Sequence, residues 1–274
     1  MWLRKYIHVI YSDATDMQDY GLVSIITPSY NCERFIRQTI ESIISQTYTN
    51  WELLVADDCS TDSTRSIVED YAAVDKRIKL FKLDVNSGAG VARNEAIRHA
   101  RGRYIAFCDS DDIWLRDKLA VQLQVMEKTG CPVAYASYIT CDEDGRYNGI
   151  VVAYKEITYR EILRDDSIGF LTCIYDVEKL GKVYLPDLRK RQDWGLKIRL
   201  LSKSRKAVGV IEPLAVYRLR GDSLSNKKLG LVKFNVRVYR EVLNYNPVRA
   251  WLKFLFDFMP HYFAKKLRLR IINQ

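Results

Sequence analysis

Three carboxylates follow a short apolar segment near the middle of the chain. The segment is Tyr104–Cys108, and Asp109, Asp111 and Asp112 come directly after it. Carboxylates two residues apart in a turn can converge on one hard cation, and Mg²⁺ or Mn²⁺ favours such oxygen ligands together with substrate phosphates. The alternative interpretation is a solvated acidic turn in which an aspartate caps the following helix.

A second acidic pair, Asp57 and Asp58, follows the apolar segment Trp51–Ala56. Alone, this pair would be more typical of a helix start, because Ser60, Thr61 and Asp62 come next. Two acidic clusters at the ends of two strands favour a binding site. Because no His accompanies the carboxylates, an oxygen-bound metal and a diphosphate-bearing substrate are favoured over a redox metal.

The elements around these clusters alternate between strand and helix patterns. We predict strands at 22–27, 51–56, 78–83, 104–108 and 132–138, and helices at 33–46, 63–73, 88–100 and 115–128. This alternation predicts an α/β fold with a doubly wound, mostly parallel sheet. Ligands of such sheets bind at the carboxyl ends of the strands, where both acidic clusters would lie.

A glycine-containing turn, Asn86–Gly90, opens the third predicted helix. Its glycines allow the backbone to approach a ligand, and a helix N-terminus attracts phosphate. The turn lacks both the third glycine of the dinucleotide fingerprint and the lysine of a P-loop, so those two families are disfavoured. Arg93, one turn into the helix, can face a phosphate, a base or a carboxylate at the sheet edge.

The second half of the chain has weaker patterns. We predict strands at 150–154, 170–175 and 208–217, and a helix over Asp193–Lys203. Asp193 can cap this helix or serve as a positioned base. Asp187 and the basic residues Arg189, Lys190 and Arg191 precede it, and these basic residues either approach an acceptor phosphate or lie in a solvated loop.

The net charge of +9 is concentrated at the end of the chain. From Arg220 to Gln274 there are 12 basic and 3 acidic residues, so the preceding part is balanced. A nucleic-acid-binding protein would carry its basic charge on the main domain, so no nucleic-acid partner is expected. Alternating aromatic and basic residues in this tail are typical of helices at an anionic membrane surface, with Pro260 dividing two helices. The alternative is a helical hairpin packed on the core or on a second copy in a homodimer.

The remaining composition excludes several classes of protein. No apolar run reaches the roughly 18–20 residues of a membrane-spanning helix, and Met1–Tyr20 lacks the pattern of a secretory signal. The six cysteines form no C-x-x-C pair and only three histidines are present, so a structural zinc site is not expected. Scattered cysteines are typical of reduced thiols in a cytoplasmic protein.

Five segments between Val23 and Asp142 resemble the family 2 inverting glycosyltransferases, which have the nucleotide-sugar-binding GT-A fold. The matching segments are Val23–Asn31, Ser42–Thr47, Trp51–Asp62, Asn86–Gly88 with Ala92–Asn94, and Gly102–Asp112. Farther on, Gln192-Asp193-Trp194, followed by Leu196 and Arg199–Leu201, is similar to the acceptor-side motif of the family.

The resemblance implies a role for each matching position. The nucleotide-sugar-binding positions are Pro28, Tyr30, Asp58, Arg93, Asp109 and Ser110, with Asp58 accepting from the uracil ring. Asp111 is implied as the direct metal ligand, with Asp109 as the other member of the D-x-D pair, and Asp193 as the catalytic base. Cys59 departs from the pattern, because many relatives carry glycine there. The effect should be modest unless that backbone needs a positive φ.

The implied activity is transfer of one sugar from a UDP-sugar to a hydroxyl of a lipid-diphosphate-linked oligosaccharide, assisted by Mn²⁺ or Mg²⁺. The context is synthesis of bacterial surface polysaccharide of the O-antigen or capsule type, by a peripheral enzyme at the inner face of the cytoplasmic membrane. A processive synthase is disfavoured, because Q-x-x-R-W and membrane spans are missing. The expected organisation is an extension (1–20), a nucleotide-sugar-binding half (21–142), an acceptor half (143–220) and the basic tail (221–274).

Two other functions are compatible with acidic residues on an α/β sheet. A nucleotidyltransferase would be expected to carry a Gly-rich basic loop after the first strand, where Thr27–Asn31 stands instead. A non-catalytic nucleotide-binding module that docks a partner through the tail is the second alternative, against which intact Asp111 and Asp193 argue.

Overall fold

A ten-stranded sheet lies at the centre of the computed structural model, which describes residues 18–220 and 231–263. The strands are β1 (Val23–Ser29), β2 (Trp51–Asp57), β3 (Ile78–Lys82), β4 (Tyr104–Phe107), β5 (Ile113–Trp114), β6 (Val133–Cys141), β7 (Tyr147–Val151), β8 (Glu156–Thr158), β9 (Ile174–Asp176) and β10 (Lys206–Arg218). The helices are α1 (Ile36–Ile44), α2 (Thr64–Val74), α3 (Ala89–His99), α4 (Lys118–Thr129), α5 (Tyr159–Ile162), α6 (Val177–Leu180), α7 (Gln192–Ser204), α8 (Leu231–Leu243) and α9 (Pro247–Lys253).

The strand order confirms the predicted α/β fold with a largely parallel sheet. The main path is β3-β2-β1-β4-β9-β6-β10-β5. Strands β1 to β4 are mutually parallel along this path, as are β6 and β10, while β9 runs antiparallel between β4 and β6. The predicted nucleotide-binding and acceptor segments therefore contribute strands to one sheet.

The buried strands of the sheet alternate their apolar side chains between two faces. Ile26, Leu54 and Phe107 belong to one buried cluster, which also contains residues of α3 and α7. Ile25 and Leu53 belong to the other, which contains residues of α1 and α4. Each fully buried side chain of this size contributes about 1.5–3 kcal/mol. Helices on both faces explain why these strands are apolar throughout.

The second half differs from its sequence prediction in several places. Strand β7 begins three residues earlier than predicted, and β8 was not predicted. The segment 170–175 is a 3₁₀ turn at Phe170–Thr172 followed by the short strand β9, because Thr172 folds back on Gly169 and its side chain bonds Ala136. Apolar periodicity does not distinguish a short strand from such a turn.

The C-terminal helices pack beside α7. The ring of Trp194 lies 5.6 Å from those of both Tyr239 in α8 and Phe258. Residues 254–258 form a π-helical turn after α9, and the chain stays helical through residue 263. The predicted division at Pro260 was therefore wrong, because the wider turn before it accommodates the missing proline N–H. Predictions for residues 1–17, 221–230 and 264–274 lie outside the described residues.

Candidate active site

The carboxyl ends of β1, β2 and β4 meet at one edge of the sheet. Ser29 pairs with Asp57 across β1 and β2, and the Asp58 amide donates to the Ser29 carbonyl at 2.8 Å. On the other side of β1, the Cys108 amide donates to the Ile26 carbonyl at 3.1 Å. The residues that follow these three strands therefore lie at a common rim, as expected for a parallel sheet.

Asp57 stabilises the loop after β2. Its side chain is fully buried and accepts from the Ser29 hydroxyl at 3.0 Å and from the Ser60 amide at 2.9 Å. The guanidinium of Arg65 donates to it at 2.5 Å. This set of partners compensates the buried charge, so Asp57 holds the loop in shape.

Asp58 connects the same loop to the glycine turn before α3. Its two carboxylate oxygens accept the backbone amides of Ser87 and Gly88, each at 2.7 Å. Gly88 has φ of 91°, a conformation that residues with a Cβ rarely adopt. A carboxylate oxygen has a second lone pair, so the proposed contact with a uracil ring remains compatible with these bonds.

Cys59, which stands where many relatives carry glycine, has a positive φ. Its φ is 65°, and its thiol donates to the Leu83 carbonyl at 3.1 Å. Because a left-handed conformation costs a non-glycine residue about 1–2 kcal/mol, we expect Cys59→Gly to raise Tm by about 1–4 °C. Cys59→Ala should lower Tm, because it removes the thiol bond and keeps the strain. Differential scanning calorimetry measures both; because both variants lack the thiol, a Tm for the glycine variant no higher than that of the alanine variant would contradict the strain.

The other positions implied in nucleotide binding lie at or beside the rim. Pro28 is buried in β1, and Tyr30, just after the strand, is 50% exposed. Ser110 is half-buried in the turn after β4. Tyr30 is therefore accessible to a ligand at the rim, whereas Pro28 is not.

The carboxylates after β4 differ in their surroundings. Asp112 is buried and accepts the Arg218 amide at 3.1 Å; burial and the neighbouring carboxylates raise its pKa well above the usual value. Burial first, then repulsion from Asp109, also raises the pKa of Asp111, and Arg220 at 3.4 Å opposes this rise. The accumulated negative charge at this turn favours a cation.

The donor set of this turn fits Mg²⁺ or Mn²⁺. Within residues 18–220 and 231–263, no three side chains of His, Cys, Asp or Glu are grouped as ligands of one ion. The turn after β4 presents the pair Asp109 and Asp111, both partly exposed at the rim and paired with Arg93 and Arg220. A pair of carboxylates completed by substrate phosphates and water is the usual way in which proteins bind Mg²⁺.

Arg93 connects the two predicted halves of the site. Its guanidinium donates to Asp109 at 2.5 Å, so of the alternatives left open by the sequence the structure shows the carboxylate contact. With its amide oxygen turned toward α3, Gln192 accepts from Arg93 at 3.1 Å and from the Gly90 amide at 3.3 Å. A Cβ at position 90 would collide with Gln192, which explains the glycine. Gln192 and the helix that it opens are thereby held against the acidic turn after β4.

Asp193 lies in the first turn of α7 and is not its N-cap, which is Arg191. Its carboxylate is one-third exposed and accepts from Lys197 at 3.2 Å. Burial acts to raise the pKa of Asp193, but Lys197, Arg191 and Arg93 outweigh it, and the pKa is lowered. Asp193 is therefore ionised at neutral pH and has one side open to a substrate.

Several residues at this site were not predicted from the sequence. Arg218 and Arg220 reach the acidic turn after β4 from the end of β10, and Asp166 and Lys197 lie around Asp193. The spacing of Asp193 and Lys197, one helical turn apart, is a signal that could have identified that pair. The arginines and Asp166 come from distant parts of the chain, and their spacing carries no such signal.

A family model described as "Glycosyl transferase family 2" matches residues 24–176, more than half of the chain. The chain belongs to this glycosyltransferase family. It is 42% identical over 222 residues to the putative teichuronic acid biosynthesis glycosyltransferase TuaG of Bacillus subtilis, covering 81% of this chain and 88% of TuaG. The expectation of a glycosyltransferase is confirmed, which disfavours the nucleotidyltransferase and the non-catalytic module.

A second relative has a more specific name. The chain is 40% identical over 218 residues to WfgD of Escherichia coli, a UDP-Glc:alpha-D-GlcNAc-diphosphoundecaprenol beta-1,3-glucosyltransferase, covering 79% of this chain and 84% of WfgD. Relatives of this glycosyltransferase thus act on undecaprenol-diphosphate-linked sugars.

Solved structures confirm the GT-A fold. S. aureus TarS (1–349) in complex with UDP-GlcNAc superposes with a TM-score of 0.64 at 22% identity, covering 83% of this chain and 69% of that one. The mannosyltransferase PcManGT of Pyrobaculum calidifontis, in complex with GDP-Man and Mn²⁺, gives 0.64 at 18% identity, covering 89% and 71%.

Proposed function

We propose that this glycosyltransferase transfers one sugar from a UDP-sugar to a hydroxyl of a saccharide linked to a polyprenyl diphosphate, with inversion at the anomeric carbon. The observation that carries this proposal is the contact chain from Asp109 through Arg93 to Gln192. Gln192 directly precedes Asp193, whose one-third exposed carboxylate is also influenced by Arg93, so the acidic turn and Asp193 face one site. One active site then combines a place for a nucleotide diphosphate with a base for an acceptor hydroxyl.

The donor half of the proposal rests on the rim of the sheet. Tyr30 would lie against the nucleobase, and Asp58 would accept from the uracil ring. Asp111 and Asp109 would hold Mn²⁺ or Mg²⁺, which when bound neutralises the charge of the departing diphosphate. The complex of TarS with UDP-GlcNAc supports a uridine donor, and that of PcManGT with Mn²⁺ supports the metal.

The acceptor half rests on Asp193. An ionised, one-third exposed carboxylate can remove the proton of an acceptor hydroxyl as the oxygen attacks the anomeric carbon. Attack from the side opposite the leaving diphosphate inverts the configuration. The name of WfgD, whose acceptor is a diphosphoundecaprenol-linked sugar and whose product linkage is beta, supports both the acceptor class and the inversion.

The test is a transfer assay with a set of UDP-sugars, synthetic polyprenyl-diphosphate GlcNAc as acceptor, and Mn²⁺. Product linkage is determined by NMR. We expect a single added sugar in β-linkage from an α-linked donor, and activity lost on chelation of the metal. An α-linked product would contradict inversion, and UDP release without any transfer to the lipid acceptor would contradict the acceptor class.

A lipid-linked acceptor requires a membrane surface, and we propose that the outer face of the C-terminal helices binds it. From α9 to residue 263 one face, including Ala250, Phe254 and Phe258, packs on the core. The opposite face exposes seven large apolar side chains at helical spacing: Val248, Trp251, Leu252, Leu255, Phe256, Tyr262 and Phe263. Exposed Lys233, Arg237 and Arg240 on α8 add positive charge for anionic lipid. No helix within the described residues is long and apolar enough to span a bilayer.

We expect the triple variant Leu252→Ser, Leu255→Ser, Phe256→Ser to bind vesicles at least about 10³-fold more weakly, because each apolar side chain contributes about 1.5–3 kcal/mol when buried and each 1.4 kcal/mol changes an affinity about tenfold. Flotation with vesicles of phosphatidylcholine and phosphatidylglycerol measures this. A control triple variant, Ile44→Ser, Val74→Ser, Val85→Ser, alters exposed apolar residues elsewhere and should float like the original.

Unchanged flotation of the first triple variant would contradict the membrane proposal. If that variant instead converts a dimer into a monomer in sedimentation equilibrium, without affecting vesicle binding, the face contacts a second copy of the chain.

A further inference from the structure

A buried ammonium group lies directly behind Asp193. Lys197 is 1% exposed, one helical turn after Asp193 on α7. Its Nζ donates to Asp193 Oδ2 at 3.2 Å and to the Ile168 carbonyl at 2.9 Å, and it forms an ion pair with Asp166. A buried lysine without compensation would lose its proton. Here two carboxylates and a carbonyl compensate it, and the pKa of Lys197 is raised despite burial.

Asp166 is the second carboxylate on this ammonium. It lies in the loop after α5, is largely buried, and has Arg191 Nη1 at 3.5 Å as its other cation. Asp193 is the more exposed of the two carboxylates that share Lys197. Asp166 therefore compensates the charge of the Lys197 ammonium on its buried side, whereas the carboxylate of Asp193 is partly exposed to solvent.

We propose that Lys197 and Asp166 are positioning residues that fix the orientation and the basicity of the catalytic carboxylate of Asp193. This inference rests on the proposed role of Asp193 as the base. Lys197 holds one oxygen of Asp193 and leaves the other for the acceptor hydroxyl. Asp166 compensates part of the charge of Lys197. Lys197 therefore lowers the pKa of Asp193 less than it would in an ion pair with Asp193 alone, so Asp193 is ionised and still basic enough to accept a proton.

The charges around Asp193 determine the direction of each expected effect. Within the described residues, Lys197 and Arg191 face it from its own element, Arg93 from α3, and Asp166 from the loop. Tyr138 of β6 faces the Lys197–Asp166 pair as a neutral phenol, since burial raises its pKa. Removal of the cation Lys197 should therefore raise the pKa of Asp193, and removal of the anion Asp166 should lower it.

The experiment measures the acidic limb of the kcat–pH profile for sugar transfer. We expect Lys197→Met to shift this limb upward by about one pH unit or more and Asp166→Asn to shift it downward, because a charge at this distance changes a pKa by about 1–3 units. The double variant should restore a limb near that of the original. KM for the UDP-sugar should change little in all three.

Lys203→Met, on the solvent side of the same helix, is the matched control and should leave the profile unchanged. Equal losses of activity without opposite shifts of the limb would overturn the proposal in favour of a purely structural role. If Lys197→Met fails to fold, Asp166→Asn alone still tests the positioning role. An acidic limb that is unshifted or raised in Asp166→Asn would contradict that role. If Asp193→Asn keeps its activity, the assignment of Asp193 as the base fails. If Asp193→Asn is inactive but the acidic limbs of Lys197→Met and Asp166→Asn do not move, only the positioning role fails.

Discussion

Replacing Asp193 by Asn should reduce sugar transfer by about 10²–10⁴-fold, the usual contribution of a positioned general base. Asn preserves the volume and can accept from Lys197, but it cannot take a proton from the acceptor hydroxyl. Because the side chain of Asp193 bonds Lys197 of its own helix and not the loops after β1 and β2, UDP binding should be unchanged. Initial rates of transfer and calorimetric titration with UDP measure the two effects separately.

A matched control is Asp187→Asn, an exposed aspartate shortly before α7. It should retain full transfer, since it makes the same chemical change outside the contact chain of the site. Turnover of Asp193→Asn within about tenfold of the original would exclude Asp193 as the base. The activity would then have to come from another carboxylate, and Asp166, which shares Lys197 with Asp193, is a candidate.

Replacing Asp111 by Asn should also reduce transfer, by about 10²–10³-fold, but for a different reason. A metal ion stabilises the charge of a departing diphosphate by several kcal/mol, and each 1.4 kcal/mol changes a rate about tenfold. Loss of one of two carboxylate ligands also weakens metal binding. The expected signature is loss of the Mn²⁺ dependence of UDP binding, measured by calorimetry with and without the metal.

The control for this change is Asp70→Asn on the exposed face of α2, which should behave like the original protein. The Asp111→Asn variant should remain folded, because Asp111 forms its ion pair with Arg220 at the partly exposed rim and does not support the core. Retention of Mn²⁺-dependent UDP binding in Asp111→Asn would contradict its assignment as the metal ligand. An Asp112→Asn variant should instead lower Tm, since Asp112 is buried against the end of β10.

The order of strands and helices in the first half could be predicted from the sequence because it depends on local patterns. Buried strands are apolar throughout, helices repeat their apolar positions at 3.6 residues, and glycine marks the turn before α3. Given that alternation, the parallel sheet and the common rim for residues after β1, β2 and β4 follow from topology. In the second half, short strands and a 3₁₀ turn have the same apolar composition, and periodicity did not separate them.

The functions of individual polar residues were decided by tertiary structure. The adjacent residues Asp57 and Asp58 look alike in the sequence, yet one stabilises its own loop and the other bonds the turn before α3. Arg93 could have met a phosphate or a carboxylate, and only the approach of the turn after β4 shows that it pairs with Asp109.

The sequence by itself determined the fold class, the family and the cluster of carboxylates at the rim, because short-range patterns and motifs specify them. Only the tertiary structure placed Asp166 against the Asp193–Lys197 pair, and the exposed apolar face opposite Phe254 and Phe258. The physical reason is that these arrangements join segments distant in the chain. Their contacts depend on how helices pack, and the spacing of residues along the sequence does not encode that packing.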